Sequence, residues 1–138
     1  MTKAEILDFL RANPMCFLAT VDGDHPRVRG MMLFISADER IIFHTGKVKQ
    51  LTQQLSQNCA VEFCAIDPKT NMQIRVSGAA AFLVDPALSE AIIAERPFLK
   101  PIIEQFGIDA MPLFQITDPV ATVWTMGSDM EPKTYVAL

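Results

Sequence analysis

Apolar residues recur along this chain at two spacings, one helical and one of strands. Ile6, Leu7 and Leu10 follow Thr2 at helical spacing. Thr2 and Glu5 form a T-x-x-E capping pattern, so a first helix is predicted to about Ala12, where Asn13-Pro14 stops it. Residues 15–21 (MCFLATV) are a short run of strand formers closed by the turn Asp22-Gly23-Asp24. Residues 27–35 (RVRGMMLFI) read as the return arm of a hairpin, 36–39 as a turn, and 40–44 (RIIFH) as a third strand. Thr45-Gly46 opens a helix predicted over 47–56, with Val48, Leu51 and Leu55 on one face. Residues 60–66 (AVEFCAI) alternate like a strand, and 67–71 (DPKTN) form a turn. A long strand over 73–84 follows, with a bulge or a close backbone approach expected at Gly78. Asp85 caps a helix that starts on Pro86 and runs to about Glu95. A helical stretch to Phe106 is expected after Pro97 and Pro101, and residues 113–117 and 121–126 read as the last strand or strands. The polar tail from Gly127 carries no assigned element.

The predicted order is helix, three strands, helix, two strands, helix, strand. Strands joined by short turns pair antiparallel. Six short strands with few helices point to a mainly β fold, a small barrel with helices packed outside it. A length of 138 residues suits one domain, 1–138, with no repeat or linker.

Composition narrows the partners. Half of the residues are apolar and 20% are charged, a mild apolar surplus that hints at a subunit interface. A net charge of −4 argues against nucleic acid or an anionic membrane as partner. The three cysteines, Cys16, Cys59 and Cys64, are odd in number and lack a CxxC spacing, which fits a reducing cytoplasm and core thiols. The N-terminus lacks the apolar run of a signal peptide, and no window approaches the about 20 apolar residues of a membrane span.

The few cations carry the candidate chemistry. Arg27 and Arg29 are two apart on one predicted strand and so share a face. Two readings stand: ordinary solvated arginines, or a pair joined by an anion. Lys47 and Lys49 fall in the predicted first turn of a helix, where the dipole disfavours cations and no acidic residue up to Leu55 offsets them. A bound anion resolves that conflict, with the free amides of the helix start, the Thr45 hydroxyl and the close approach allowed by Gly46. The two lysines point in different directions around such a helix, so one of them faces the anion. Gln73 shares a strand face with Arg75 and Ser77, and its amide suits a heteroaromatic ring edge as well as an ordinary strand position. His25 and His44 lack zinc-ligand spacing with the cysteines, and no GxSxG, GxGxxG or P-loop is present.

Taken in order, FLATVDGDHPRVRGM (17–31), FHTGKVKQLTQQL (43–55), VEFCAIDP (61–68), QIRVSG (73–78) and the EPKTY tail (131–135) resemble the pyridoxamine 5'-phosphate oxidase-like, FMN-binding split-barrel family, most of all its short members. The resemblance implies a six-stranded antiparallel split barrel, a homodimer with flavin sites at the interface, and a flavoprotein oxidoreductase that binds FMN and acts on a small substrate or electron donor. A flavin- or haem-binding protein without turnover on the same barrel is the alternative, with His25 or His44 as axial ligand in the haem case. Carried over by position, the family's R-x-V-L-L-K segment falls on Arg29 to Phe34. Arg29 would meet the flavin phosphate or ribityl chain, and the backbone of Met31 and Met32 would line the isoalloxazine. The family's aromatic–Thr pair falls on His44-Thr45, its phosphate-binding cations on Lys47 and Lys49, with Lys49 the better match, and its ring-edge glutamine on Gln73. Two departures argue against vitamin B6 oxidation itself. Phe34 stands where the oxidase has a lysine. The oxidase's Tyr, Arg and Ser substrate set and its C-terminal Trp–Arg motif also have no counterpart, and Trp124 stands in a different context.

Overall fold

A computed structural model describes residues 1–138. Helix α1 (Lys3–Ala12) starts as predicted: the Glu5 amide donates to the Thr2 hydroxyl, and the Thr2 amide donates to the Glu5 carboxylate at 2.7 Å. Its apolar stripe, Ile6, Leu7 and Leu10, is buried. The strands are β1 (Met15–Asp22), β2 (His25–Met32), β3 (Phe34–Ile35), β4 (Ile41–His44), β5 (Ala60–Ile66), β6 (Gln73–Leu83), β7 (Leu113–Trp124) and β8 (Val136–Ala137). The helices between them are α2 (Gln50–Gln57), α3 (Pro86–Glu95) and α4 (Lys100–Phe106). The six longer strands are the ones expected from the pattern; β3 and β8 are two-residue additions.

All pairings are antiparallel, in the order β2-β1-β5-β6-β7-β4-β3, with β8 on β7. The two ends of this path, β2 and β3, are joined in the chain by Leu33 alone. The sheet therefore curls until its edges approach each other, and the gap between them is the split of a split barrel. Inside the curl, Arg29, Leu18, Phe63, Val76 and Ala121 lie in register on one row, with Arg29 at the edge and the other four buried. Phe43 stacks on Phe114 at 5.2 Å and meets Phe63 edge-on at 5.6 Å. Full burial of each such Leu or Phe stabilises the fold by roughly 1.5–3 kcal/mol.

Two expectations need correction. Residues 27–35 are not one strand. The chain leaves β1 after Met32 and joins β4 at Phe34, and the Leu33 amide donates to the Pro14 carbonyl instead of to a ladder. The helix expected over 47–56 begins at Gln50. Lys47 donates its amide to the Ala110 carbonyl and Lys49 to that of Gly46, so this backbone is committed to a turn and Lys49, at φ −75° and ψ 149°, is the N-cap. Of the readings left open for the last strand or strands, a single strand is found, with Asp118 at φ 49° before Pro119. The tail from Gly127 ends in β8. Gly78 does mark a register shift, and a Cβ there would lie 2.6 Å from Ile116 Cγ2 and 2.7 Å from the Thr117 carbonyl oxygen. No helix is long and apolar enough to cross a membrane.

Candidate functional site

A cleft of about 730 Å³ opens beside the split. One wall is the end of β2, Arg29 to Met32. A second is the end of β4 and the turn after it, His44 to Gly46. The third is the head of α2, from Lys49 to Leu51. Leu99, Ile102, Ala110 and Met111 also line it and add apolar surface. No acidic residue lines it.

Arg29 projects from the inner face of an edge strand, and buried polar groups hold it there. Its Nη1 donates to the Thr20 hydroxyl at 2.9 Å and its Nη2 to the Gln54 side-chain oxygen at 2.6 Å. The Thr20 hydroxyl donates to the same oxygen at 2.7 Å. Neither partner is charged. Partial burial first, and the neighbouring Arg27 charge second, pull Arg29 below the usual arginine range, as expected of a cation without a counterion. Thr20 and Gln54 escaped the sequence reading. Both leave a signal in it, a polar residue at an inward position of an apolar run: Thr20 continues the alternation of Cys16 and Leu18, and Gln54 lies beside Leu51 and Leu55 on α2.

The facing wall offers donors without acceptors. Thr45 is 6% exposed, and its hydroxyl has no hydrogen-bond partner. The amides of Gln50 and Leu51 at the head of α2 donate to no backbone or side-chain group. Such free amides at a helix N-terminus favour an anion. Lys49 forms no ion pair and folds back over Gly46, where an added Cβ would stand 3.2 Å from its Cγ. A buried polar group left unpaired is destabilising by roughly 1–3 kcal/mol, so this wall is built for a ligand with several acceptor oxygens. His44, half-buried beside it, is pushed down to about 4 by burial first, then by the charges of Arg96 and Lys49. At neutral pH it is therefore an uncharged imidazole in the cleft wall.

The structure brings Arg29, Met31, Met32, His44, Thr45 and Lys49 together in this cleft. Three other predicted residues lie elsewhere in the chain. Arg27 turns to Asp22, its Nε donating at 3.1 Å. Lys47 lines a separate cavity, with Thr52 and Ser56. Gln73 stands on the outer face of the sheet, where its side-chain oxygen accepts from the Cys64 thiol at 3.8 Å. His25 pairs with Asp24 at the β1–β2 hairpin, away from the cleft. All three cysteines are free.

The likeness to known proteins follows this architecture. A NimC/NimA family protein from Clostridium acetobutylicum is 23% identical, with a TM-score of 0.80 over 98% of this chain and 91% of the other. General Stress Protein 26 from Bacillus anthracis is 18% identical, with a TM-score of 0.72 over 99% and 98%. A pyridoxamine 5'-phosphate oxidase-related, FMN binding protein from Nostoc punctiforme is 16% identical, with a TM-score of 0.68 over 99% and 96%. At these identities the likeness establishes a shared fold. No curated protein sequence matches the chain. The family pattern described as pyridoxamine 5'-phosphate oxidase matches residues 2–122, most of the chain's length, and the protein belongs to that family.

Proposed function

We propose that the cleft binds flavin mononucleotide and that the protein is a flavin-dependent oxidoreductase for a small substrate. In this reading the phosphate sits among Arg29, Lys49, the Thr45 hydroxyl and the free amides of Gln50 and Leu51, and the ring system lies along the backbone of Met31 and Met32. One observation carries it: a cation with no acidic partner, an orphaned buried hydroxyl and the unbonded amides of a helix start line one cleft together with apolar side chains. A phosphate dianion supplies acceptors for all of these groups at once. The FMN binding reported in the name of the Nostoc relative agrees with this reading.

A bound flavin supplies hydride or electron transfer, so the chain need provide no acid or base of its own. Its residues bind and orient. Arg29 and Lys49 anchor one end of the ligand. Leu99, Ile102 and Met111 exclude water, and neutral His44 hydrogen-bonds without adding charge.

A second copy of the chain completes the proposal. Met15, Phe17 and Val28 project from the outer face of β1 and β2, at 58%, 56% and 69% exposure. Gly30 and Met32 share that face and also line the cleft, so a partner seated on it would border the ligand. Gln73, on the same sheet face, would then lie at the interface instead of in solvent. Residues 1–138 would act as one flavin-binding domain within a homodimer.

The test is to denature the purified protein and weigh the released small molecule. Release of FMN, or stoichiometric uptake of added FMN with a shift of its visible absorption, is expected. A protein that neither releases FMN nor takes it up would overturn the proposal.

A further inference from the structure

Arg96 caps the C-terminus of α3 and is 3% exposed. Its Nη1 donates to the Met32 carbonyl at 3.2 Å and its Nη2 to the Leu33 carbonyl at 2.5 Å. These two carbonyls belong to the residues where the chain passes from β2 to β3, so the guanidinium staples the split of the barrel. Its Nε is buried and has no acceptor. The Phe34 ring centroid is 6.0 Å away, a cation–π distance. Arg96 forms no ion pair, and the adjacent Glu95 is exposed.

The guanidinium is hydrogen-bonded only to carbonyl dipoles; burial lowers its pKa, and the charge of exposed Glu95, which makes no ion pair with it, opposes that shift, so a positive charge remains beneath the surface. That charge borders the cleft. Met32, whose carbonyl it holds, lines the cleft, and so does Leu99 in the turn that follows Arg96. The reach of its field is visible at His44, where Arg96 is the largest cause after burial of the imidazole's preference for the neutral form.

We infer that Arg96 is a positioning residue that acts through space on the occupant of the cleft, its buried positive charge favouring a reduced, anionic flavin over an oxidised one with a neutral ring. This rests on the flavin reading above. The couple balances as oxidised flavin plus two electrons and one proton, giving the reduced flavin with one negative ring charge. In the experiment the electrons come from dithionite. One N–H of each Nη is committed to the backbone carbonyls of Met32 and Leu33, which fixes the guanidinium behind the cleft wall.

The experiment measures the midpoint potential of bound FMN in the wild type, Arg96→Met and Arg96→Lys, by dithionite titration against a reference dye. In Arg96→Met the preference for reduced over oxidised FMN falls about tenfold, a potential lower by about 30 mV for a two-electron couple. Arg96→Lys restores most of it. A lowered melting temperature with an unchanged potential in Arg96→Met would make Arg96 a strand clamp only and overturn the inference. Should that variant fail to fold, the wild type decides. Its potential keeps a slope of one proton per two electrons, about 30 mV per pH unit, down to about pH 5.5, and a doubled slope there overturns the inference. Absence of any FMN uptake appears before reduction begins and removes the flavin reading itself, so the two failures are distinct.

Discussion

The Arg29 guanidinium donates to the Gln54 side-chain oxygen at 2.6 Å, and this contact ties the free edge of β2 to helix α2. An arginine on an edge strand would otherwise sample solvent. Here two buried neutral acceptors fix it toward the cleft without spending its charge, which stays available for an anion.

Gln54→Leu keeps the volume but leaves the Thr20 hydroxyl and Arg29 Nη2 without their shared acceptor, so the flavin-free protein is expected to lose roughly 1–3 kcal/mol of stability. The affinity for FMN should fall about tenfold, near 1.4 kcal/mol, as Arg29 loses its fixed direction. Fluorescence titration of FMN reads this directly, and an unchanged affinity would remove Gln54 from the account.

Thr45→Val should move stability and binding in opposite directions. The valine keeps the shape and removes a hydroxyl that has no partner, so the flavin-free protein gains up to about 1 kcal/mol, or about 3 °C in Tm. FMN loses the Thr45 hydroxyl as a donor to its phosphate and binds several-fold more weakly. Melting curves with and without FMN check both signs in one experiment.

His44 predicts an acid sensitivity. Folding lowers its pKa from the ordinary 6.5 to about 4, so between these values the unfolded chain binds more protons than the folded one. Stability must then fall as the pH drops through that window, and level off for this group above 6.5 and below 4. With His44 half-buried and partly screened, the loss is on the order of 1–2 kcal/mol. His44→Gln should flatten that part of the profile in a denaturation series across pH.

Phe17→Glu tests the outer sheet face. The side chain is exposed in the single chain, so the substitution should leave the monomer's fold and Tm nearly intact. A charge in the centre of an apolar self-interface should separate the copies, which sedimentation reads as monomers where the wild type gives dimers. Monomers in both proteins would refute the assembly.

Local rules reached most of the fold. The T-x-x-E cap, the Asp85-Pro86 helix start, the run of strand formers in β1, the alternation of β5 and the irregularity at Gly78 are each decided within a few residues, and the structure repeats them. The misses were decided by distant partners. Nothing within residues 27–35 says that Leu33 will abandon β1 for β4, because the cause lies in the Pro14 carbonyl and in Arg96. The start of α2 moved to Gln50 because Ala110, far along the chain, takes the Lys47 amide. Of the polar residues that stood out in the sequence, Arg29, Lys49 and Thr45 meet in the cleft, whereas Arg27 and Lys47, marked by the same charge argument, do not, and the helix start that argument assumed lies further on, at Gln50. Arg96 was not legible, since an arginine at a helix end is an ordinary surface residue until the fold closes over it.

The central claim is that Arg29 and Lys49 hold a phosphate, and the difference between FMN and riboflavin isolates that group. Calorimetric titration of the flavin-free protein should give FMN at least about a hundredfold tighter than riboflavin, near 2.7 kcal/mol. In the Arg29→Ala, Lys49→Ala double variant the two ligands should bind nearly alike. Equal affinities in the wild type would contradict the account.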